Sequence, residues 1–523
     1  MNNDYDVIVV GSGIGGLTAA GLLSRFNRKR VLVLEQHFTA GGMTHCFKRR
    51  SRYEFDVGLH YVGELNEGTL GRNVLDYLTE GRLAWTRMPH YFDRFIYPDF
   101  EFAVPADEAE YKRTLAALFP HETPAIERYF TDIRSAAAWY TAAHMSEILP
   151  WPARSLVNHA FALFGAETRM TTRDYLDRQF ADAKLKALLA SQWGDYGLTP
   201  AQSCFGIHAL IARHYLGGGS FPVGGARQIF AAMRPVIEAA GGTVLTRSRV
   251  DKILIRDNRA CGVRVSDPYK PTRAPREYFA PIIISDAGAM NTYLRLIPAD
   301  VAIPFRTDLA AVKPGMSAVT VYIGFKTSPA DLGFRGENYW LFSHYDHDRY
   351  ATKSAWTEVC YLSFPSLKNP AACAHTAEII SFVKYQDFAR WSDSRWKHRG
   401  ADYEAYKQLI ADTLLARVEA RFPGFRVSID YVEVSTPLTI ETFQASPRGS
   451  LYGLPAIPGR IGQSWTRART PVRNLYLTGT DTMSLGIMGA MMGGVKTAAI
   501  INGALGFPRL MHAIYRARRQ VRA

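Results

Sequence analysis

Asp6-Val7-Ile8-Val9-Val10-Gly11-Ser12-Gly13-Ile14-Gly15-Gly16 is the stretch on which the reading of this chain turns. The first five residues form a short apolar run of the kind that makes a buried parallel strand. The glycines that follow fit G-x-G-x-x-G. A helical pattern comes next, with Leu17, Ala20, Leu22, Leu23 and Phe26 on its apolar side, and then a second strand, Arg30 to Leu34, ends at Glu35. In such a unit Gly11 turns the chain out of the strand, Gly13 admits a pyrophosphate close to the backbone, and Gly16 lets the helix pack on the sheet. The helix N-terminus supplies free N–H groups and the positive end of its dipole. Glu35 lies roughly twenty residues beyond the glycines, where an acid takes ribose hydroxyls. Ser12 and Gly15 complete the loop. Strand, glycines, helix, strand and acid fall in the order of a dinucleotide-binding βαβ unit.

The pattern continues past Glu35. Gln36-His37-Phe38-Thr39-Ala40-Gly41-Gly42-Met43-Thr44 adds a second glycine pair, which a nicotinamide site does not need and the longer body of a flavin dinucleotide can use. Tyr53 to Gly63 then reads as strand, glycine turn and aromatic wall. Glu35-Gln36-His37, Gly41-Gly42 and Phe55-Asp56-Val57-Gly58-Leu59-His60-Tyr61 resemble the flavin-dependent family of phytoene desaturases, carotenoid isomerases and retinol saturases. Met43 stands where desaturases often carry Arg, which favours the saturase and isomerase branch.

Composition is that of an ordinary globular protein: 523 residues, 47% hydrophobic and 21% charged. The net charge of +14 is spread along the chain, and no nucleic-acid module accompanies it. The five cysteines are widely spaced, with no C-x-x-C, and the 14 histidines show no ligand spacing, so neither a disulfide framework nor a metal site is expected. Asp4 and Asp6 interrupt any signal peptide, and no apolar run nears the ~20 residues of a membrane span. These features predict a cytoplasmic protein, soluble or peripheral at the inner face of a membrane.

Along the chain, Asp93 to Val104 predicts a hairpin, and residues 106–219 predict mostly helices, including 172–190 and 201–216. Ile148-Leu149-Pro150-Trp151-Pro152 and Leu156 to Phe164 gather apolar residues beside Arg154, His159 and Arg169. Residues 225–240 predict an amphipathic helix stopped by Gly241-Gly242. Residues 243–250, 252–256 and 260–265 predict a strand meander, and 281–287 a buried strand. Further strands are predicted at 317–325, 339–343, 357–364 and 426–435, and a helix at 401–421. A second glycine-and-acid signature, Thr478-Gly479-Thr480-Asp481 followed by Gly486-Ile487-Met488-Gly489, predicts a strand feeding a helix that faces the same cofactor. The tail from Phe507 holds Leu510, Ile514 and Val521 on one side among arginines, as a helix on an anionic surface would.

The resemblance implies an α/β protein with a Rossmann-type, discontinuous, glutathione-reductase-like FAD-binding domain (1–80, 220–291, 455–506). It also implies an α+β substrate domain (81–105, 292–454), a helical membrane-facing lobe (106–219) and a basic tail (507–523). The cofactor set is Gly11, Ser12, Gly13, Gly15, Gly16, Glu35, Gln36, Gly41, Gly42, Met43, Thr44, Gly58, His60, Val250, Gly479, Asp481, Met488 and Gly489, with Val250 offering its backbone to adenine. His60 and Tyr61 are the candidate proton handlers, and His208 and Tyr215 the weaker ones. The implied activity is FAD-dependent reduction of a C=C bond in a hydrophobic polyene or isoprenoid or fatty chain, with desaturation or cis–trans isomerisation as the alternative. The electron donor is open between NAD(P)H and another carrier. A reading from another class is a flavin-free prenyl-lipid carrier of the Rab GDP-dissociation-inhibitor type, against which the intact glycines, Glu35 and Asp481 argue.

Overall fold

In the computed structural model, residues 5–522 are described, with side chains as far as Arg519. Asp4 and the side chain of Val521, both used above, lie outside the described residues. The N-terminal fingerprint folds as read: strand Val7–Val10, helix Ile14–Asn27 and strand Val31–Leu34. The strands join a five-stranded parallel sheet in the order Leu475–Leu477, Ile283–Ser285, Val7–Val10, Val31–Leu34, Thr243–Leu245. Because successive side chains point to opposite faces, Val7, Val9, Val31 and Val33 pack on helices Ile14–Asn27, Arg227–Glu238 and Gly486–Ile501. Ile8, Val10, Leu32 and Leu34 pack instead under a three-stranded meander, Arg249–Arg256, Arg259–Ser266 and Arg276–Phe279. Both faces are covered, which is why these strands read as continuous apolar runs.

The expected strand over 243–250 divides: Thr243–Leu245 enters the parallel sheet and Arg249–Arg256 starts the meander. The expected helix over 172–190 breaks at Phe180, where Asp182 caps a new helix by accepting from the Leu185 N–H. That over 201–216 is shorter, Phe205–His214.

A seven-stranded sheet forms the second layer, ordered Ile429–Ser435, Ser317–Phe325, His375–Val383, Val359–Ser363, Asn338–Phe342, Tyr91–Tyr97, Phe100–Pro105. Its alternation decides where a cavity lies. Val319, Val321, Ile323 and Ile379 face helix Ala401–Arg421 through Ile410, Leu414 and Val418. Ala318, Thr320, Tyr322, Ile380 and Phe382 face the other way and line the cavity described below.

The tail forms helix Gly506–Arg522, but Leu510 and Ile514 are buried in the core beneath the parallel sheet's helices. Its apolar side is already used inward, so the tail does not present the amphipathic face expected of a membrane anchor. Four exposed apolar side chains cluster on helix Trp151–Phe164, where Trp151, Leu156, Leu163 and Phe164 are 79%, 71%, 63% and 70% exposed. Among the described residues no helix is long and apolar enough to cross a membrane.

Candidate active site

Two cavities meet between the layers. The smaller, about 600 Å³, is lined by Gly11, Ser12, Gly13, Gly15, Glu35, Gln36, Gly42, Met43, Thr44, Gly58, Val250 and Asp481, all expected from sequence. Helix Ile14–Asn27 starts at Gly13, which has no side chain to cap it, and the buried Asp286 carboxyl meets the Gly13 and Gly16 N–H groups from below. Glycine is required at the closest approaches: a Cβ on Gly42, whose φ is +54°, would lie 2.8 Å from Gly13 Cα. Glu35 accepts from the Ser12 N–H and hydroxyl at 3.0 and 2.6 Å and from the His37 N–H at 2.8 Å. The glycine-walled trough, the helix N-terminus that lines it and this fixed acid fit a dinucleotide.

Other expected residues are placed differently. Gly16, Gly41 and Gly479 stand behind the cavity wall, where Gly16 packs on Gly11 O and Gly41 donates to Ser12 Oγ at 3.0 Å. Asp481 lines the cavity, but both carboxylate oxygens are engaged, by the Leu454 N–H at 2.9 Å and the Ala289 N–H at 2.7 Å. It therefore ties three loops together. From the second signature it is Gly486, Ile487 and Ala490 that reach the cavity; Met488 turns toward Gly71, and Gly489 packs on Ser484. The sequence reading missed Asp286, which ends strand Ile283–Ser285 under the glycine loop. Burial pushes its carboxyl up to about 7.

The larger cavity, about 880 Å³, shares Met43, Gly58, Phe443, Gln444, Leu451 and Tyr452 with the smaller one. Its walls are mostly aromatic and aliphatic, including Tyr322, Trp340, Tyr361 and Phe382. His60 is on this wall, and its ring lies 5.5 Å from that of Tyr361. His60 Nδ1 is 3.0 Å from Glu378 Oε2, out of line for a full hydrogen bond, and Glu378 is wholly buried. Burial pushes His60 down to about 3, with the nearby Lys368 adding to it, and pushes Glu378 up to about 8. At neutral pH this is a neutral imidazole against a carboxylic acid, not an ion pair. Lys368, also buried, donates to the His60 carbonyl at 2.9 Å, Asn338 Oδ1 at 2.5 Å and Ser363 Oγ at 2.6 Å. Burial brings it down to about 7.

A Glu whose folded pKa is raised favours folding at low pH, and that advantage is lost as pH rises from the ordinary Glu value through about 8. Glu378→Gln should therefore flatten the fall in stability between about pH 5 and 8, by up to about 1.4 kcal/mol per pH unit. Thermal melts across that range check it; an unchanged slope would contradict a protonated Glu378.

Tyr61 does not reach the cavity. It stacks on Tyr215, with ring centroids 4.2 Å apart, and its hydroxyl meets Asp93 and Asp195. His208 is buried between the hydroxyls of Tyr129 and Tyr196 at 2.9 and 3.2 Å, away from both cavities. Glu378, Lys368 and Asp195 gave no sequence signal, because each is a lone polar residue in an unremarkable segment; strand His375–Val383, which carries Glu378, was not anticipated.

A Rossmann-type nucleotide domain whose cavity shares a wall with a largely apolar cavity under a mixed seven-stranded sheet defines the class: a two-layer dinucleotide-dependent oxidoreductase fold. Residues 9–78 match the NAD(P)-binding Rossmann-like domain family. Cyclohexylamine oxidase from Brevibacterium oxydans IH-35A shares the fold, with a TM-score of 0.59 at 15% identity, covering 98% of this chain and 100% of that one. In sequence the chain is 33% identical to all-trans-retinol 13,14-reductase of Danio rerio, over 95% of this chain and 86% of the relative. It is 26% identical to prolycopene isomerase 2 of an Oncidium hybrid cultivar, over 97% and 85%. The chain belongs to the retinol saturase and carotenoid isomerase family.

Proposed function

We propose that the chain is an FAD-dependent oxidoreductase that reduces a C=C bond of a conjugated polyene, in the manner that the name of its 33%-identical relative describes. The observation that carries this reading is the shared wall of Met43, Gly58, Leu451 and Tyr452 between a glycine-walled trough and a cavity of about 880 Å³ walled largely by aromatic and aliphatic side chains. FAD, when bound, supplies hydride chemistry. The glycine loop and the N-terminus of helix Ile14–Asn27 would hold its pyrophosphate, Glu35 its ribose and the Val250 backbone its adenine. Tyr322, Trp340, Tyr361 and Phe382 exclude water and orient the polyene, whose conjugation spreads the charge that develops on reduction. His60, kept neutral by burial, presents its imidazole to the chain. Electrons enter from a diffusible donor such as NAD(P)H. The division into a discontinuous cofactor domain, substrate domain and helical lobe is part of this reading. Relatedness to a prolycopene isomerase favours cis–trans isomerisation as the second reading.

The test is spectroscopic. Purified protein supplied with FAD should show flavin absorbance. Under anaerobic conditions, all-trans-retinol should reoxidise the dithionite-reduced form while the polyene band moves to shorter wavelength. A colourless protein that takes up no FAD would leave the prenyl-lipid carrier.

The exposed Trp151, Leu156, Leu163 and Phe164, with Arg154 and the exposed Arg169 beside them, support a membrane-facing lobe through which a lipid enters. Each large apolar side chain buried contributes about 1.5–3 kcal/mol, so Trp151→Ser with Phe164→Ser should weaken co-sedimentation with phosphatidylserine vesicles at least about tenfold. Wild-type protein that stays in the supernatant would exclude this role.

A further inference from the structure

The wall of the larger cavity carries an acid that the reading above does not use. Asp195 ends the turn Ser191–Asp195 and lines the cavity with Tyr361 and Tyr452. Two contacts fix the turn. Gly194 is pressed between Trp340 and Phe382 with no room for a side chain, and the Tyr452 hydroxyl donates to the Gly194 carbonyl at 3.2 Å. Tyr452 lines both cavities, so Asp195 is tied to the partition between them.

Behind the wall the Tyr61 hydroxyl lies 2.9 Å from Asp195 Oδ2 and 3.0 Å from Asp93 Oδ2. A phenol has one proton to donate. Both contacts can be hydrogen bonds only if one of the two carboxyls is itself protonated. Their surroundings decide which. Asp93 also receives Gln192 Nε2 at 3.0 Å and Asn338 Nδ2 at 2.9 Å, and the Lys368 amine lies just beyond Asn338. Three donors stabilise a carboxylate, and Lys368 adds to them when charged. Asp195 has only the phenol. The other groups facing it are the hydroxyls of Tyr196, Tyr215, Tyr361 and Tyr452 and the charge of Asp93, none of which is a cation. The proton therefore belongs on Asp195, in agreement with burial, and then the Asp93 charge, pushing its carboxyl up to about 8 while Asp93 reaches only about 6.

We propose that Asp195 is the proton donor to the polyene, with Tyr61 and Asp93 as the positioning pair that orients it and stabilises the carboxylate it leaves. This rests on the reading of a flavin-dependent polyene reductase given above. In the step, the Asp195 O–H turns from the Tyr61 oxygen to the cavity, and the π pair of the polyene takes its proton, forming one C–H bond as the acid O–H bond breaks. The carbon left electron-poor would take the hydride, with its two electrons, that reduced FAD would supply when bound, so one hydride and one proton are consumed per C=C bond. The Tyr61 hydroxyl, donating to Asp93 before the step, then turns to the new Asp195 carboxylate and stabilises it. Once the product has left, water entering the cavity returns a proton to the Asp195 carboxylate. Stacking on Tyr215 holds the Tyr61 ring, so the exchange needs only rotation of the O–H bond.

Asp195→Asn keeps the size of the side chain and removes the proton. In the FAD-loaded enzyme it should lower kcat for all-trans-retinol reduction about 10²–10⁴-fold with KM and bound FAD unchanged, and Asp195→Glu should recover part of the loss. Wild-type kcat should fall as pH rises through about 8, and this limb should vanish in Asp195→Asn. Tyr61→Phe should lower kcat and move the limb. Independently of turnover, infrared difference spectra of wild type against Asp195→Asn should show the carbonyl stretch of a protonated carboxylic acid at neutral pH. Wild-type kcat in Asp195→Asn, or the absence of that band, overturns the assignment. A wild-type enzyme that binds FAD yet leaves every polyene unchanged overturns the polyene reading instead, and with it the donor role.

Discussion

Replacing Lys496 by methionine should destabilise the protein by about 3–5 kcal/mol. Lys496 and Glu147 form an ion pair at 2.9 Å with side chains 2% and 5% exposed. Lys496 also donates to the Thr482 carbonyl at 3.0 Å, and Glu147 accepts from the Ala468 and Arg469 N–H groups at 2.9 and 2.8 Å. The pair thus fastens the end of helix Thr123–Met145 to the loop and helix of the second glycine signature. Methionine fills the space but leaves a buried carboxylate with two backbone donors and no cation. The double variant Lys496→Met with Glu147→Gln removes both charges and should recover part of the loss, since glutamine can accept from only one of the two backbone N–H groups. Thermal melts at neutral pH check both; a single variant as stable as the double one would show that the pair contributes no charge compensation.

Gly15→Ala should remove dinucleotide binding and lower stability by about 1–3 kcal/mol or more. A Cβ on Gly15 would fall within contact distance of Gly479 Cα and N, and Gly494 packs directly on Gly15 O. These neighbours are backbone and cannot move aside as a side chain would. The helix Ile14–Asn27 would be pushed from the helix Gly486–Ile501, taking the glycine trough with it. Gly459→Ala, which meets nothing closer than Ile457 at 3.9 Å, is the control and should bind FAD as wild type does. Flavin content after purification reads both.

The nucleotide side of the site was legible in the sequence because its determinants are local. Gly11, Gly13, Glu35 and Gly42 are fixed by the course of one strand–turn–helix–strand unit, and the chain spells that unit without interruption. The C-terminal signature was legible in position but not in detail: the helix there starts at Gly486, so Gly486, Ile487 and Ala490 rather than Met488 and Gly489 reach the cavity. The substrate side was not legible, because its polar residues are brought together across long separations. Glu378 meets His60, Lys368 reaches back to His60 and Asn338, and Asp195 meets Tyr61 and Asp93. No periodicity or spacing marks such a cluster. The tail misled for a related reason: its pattern of Leu510 and Ile514 among arginines is that of an amphipathic helix, and the sequence does not tell whether the apolar side meets a membrane or the protein's own core.

The account stands most directly on the mass of the product. FAD-reconstituted enzyme, reduced and mixed anaerobically with all-trans-retinol, should yield a product heavier by two hydrogens, formed in step with flavin reoxidation. Retinol recovered at unchanged mass and geometry, with the flavin still reduced, would contradict it.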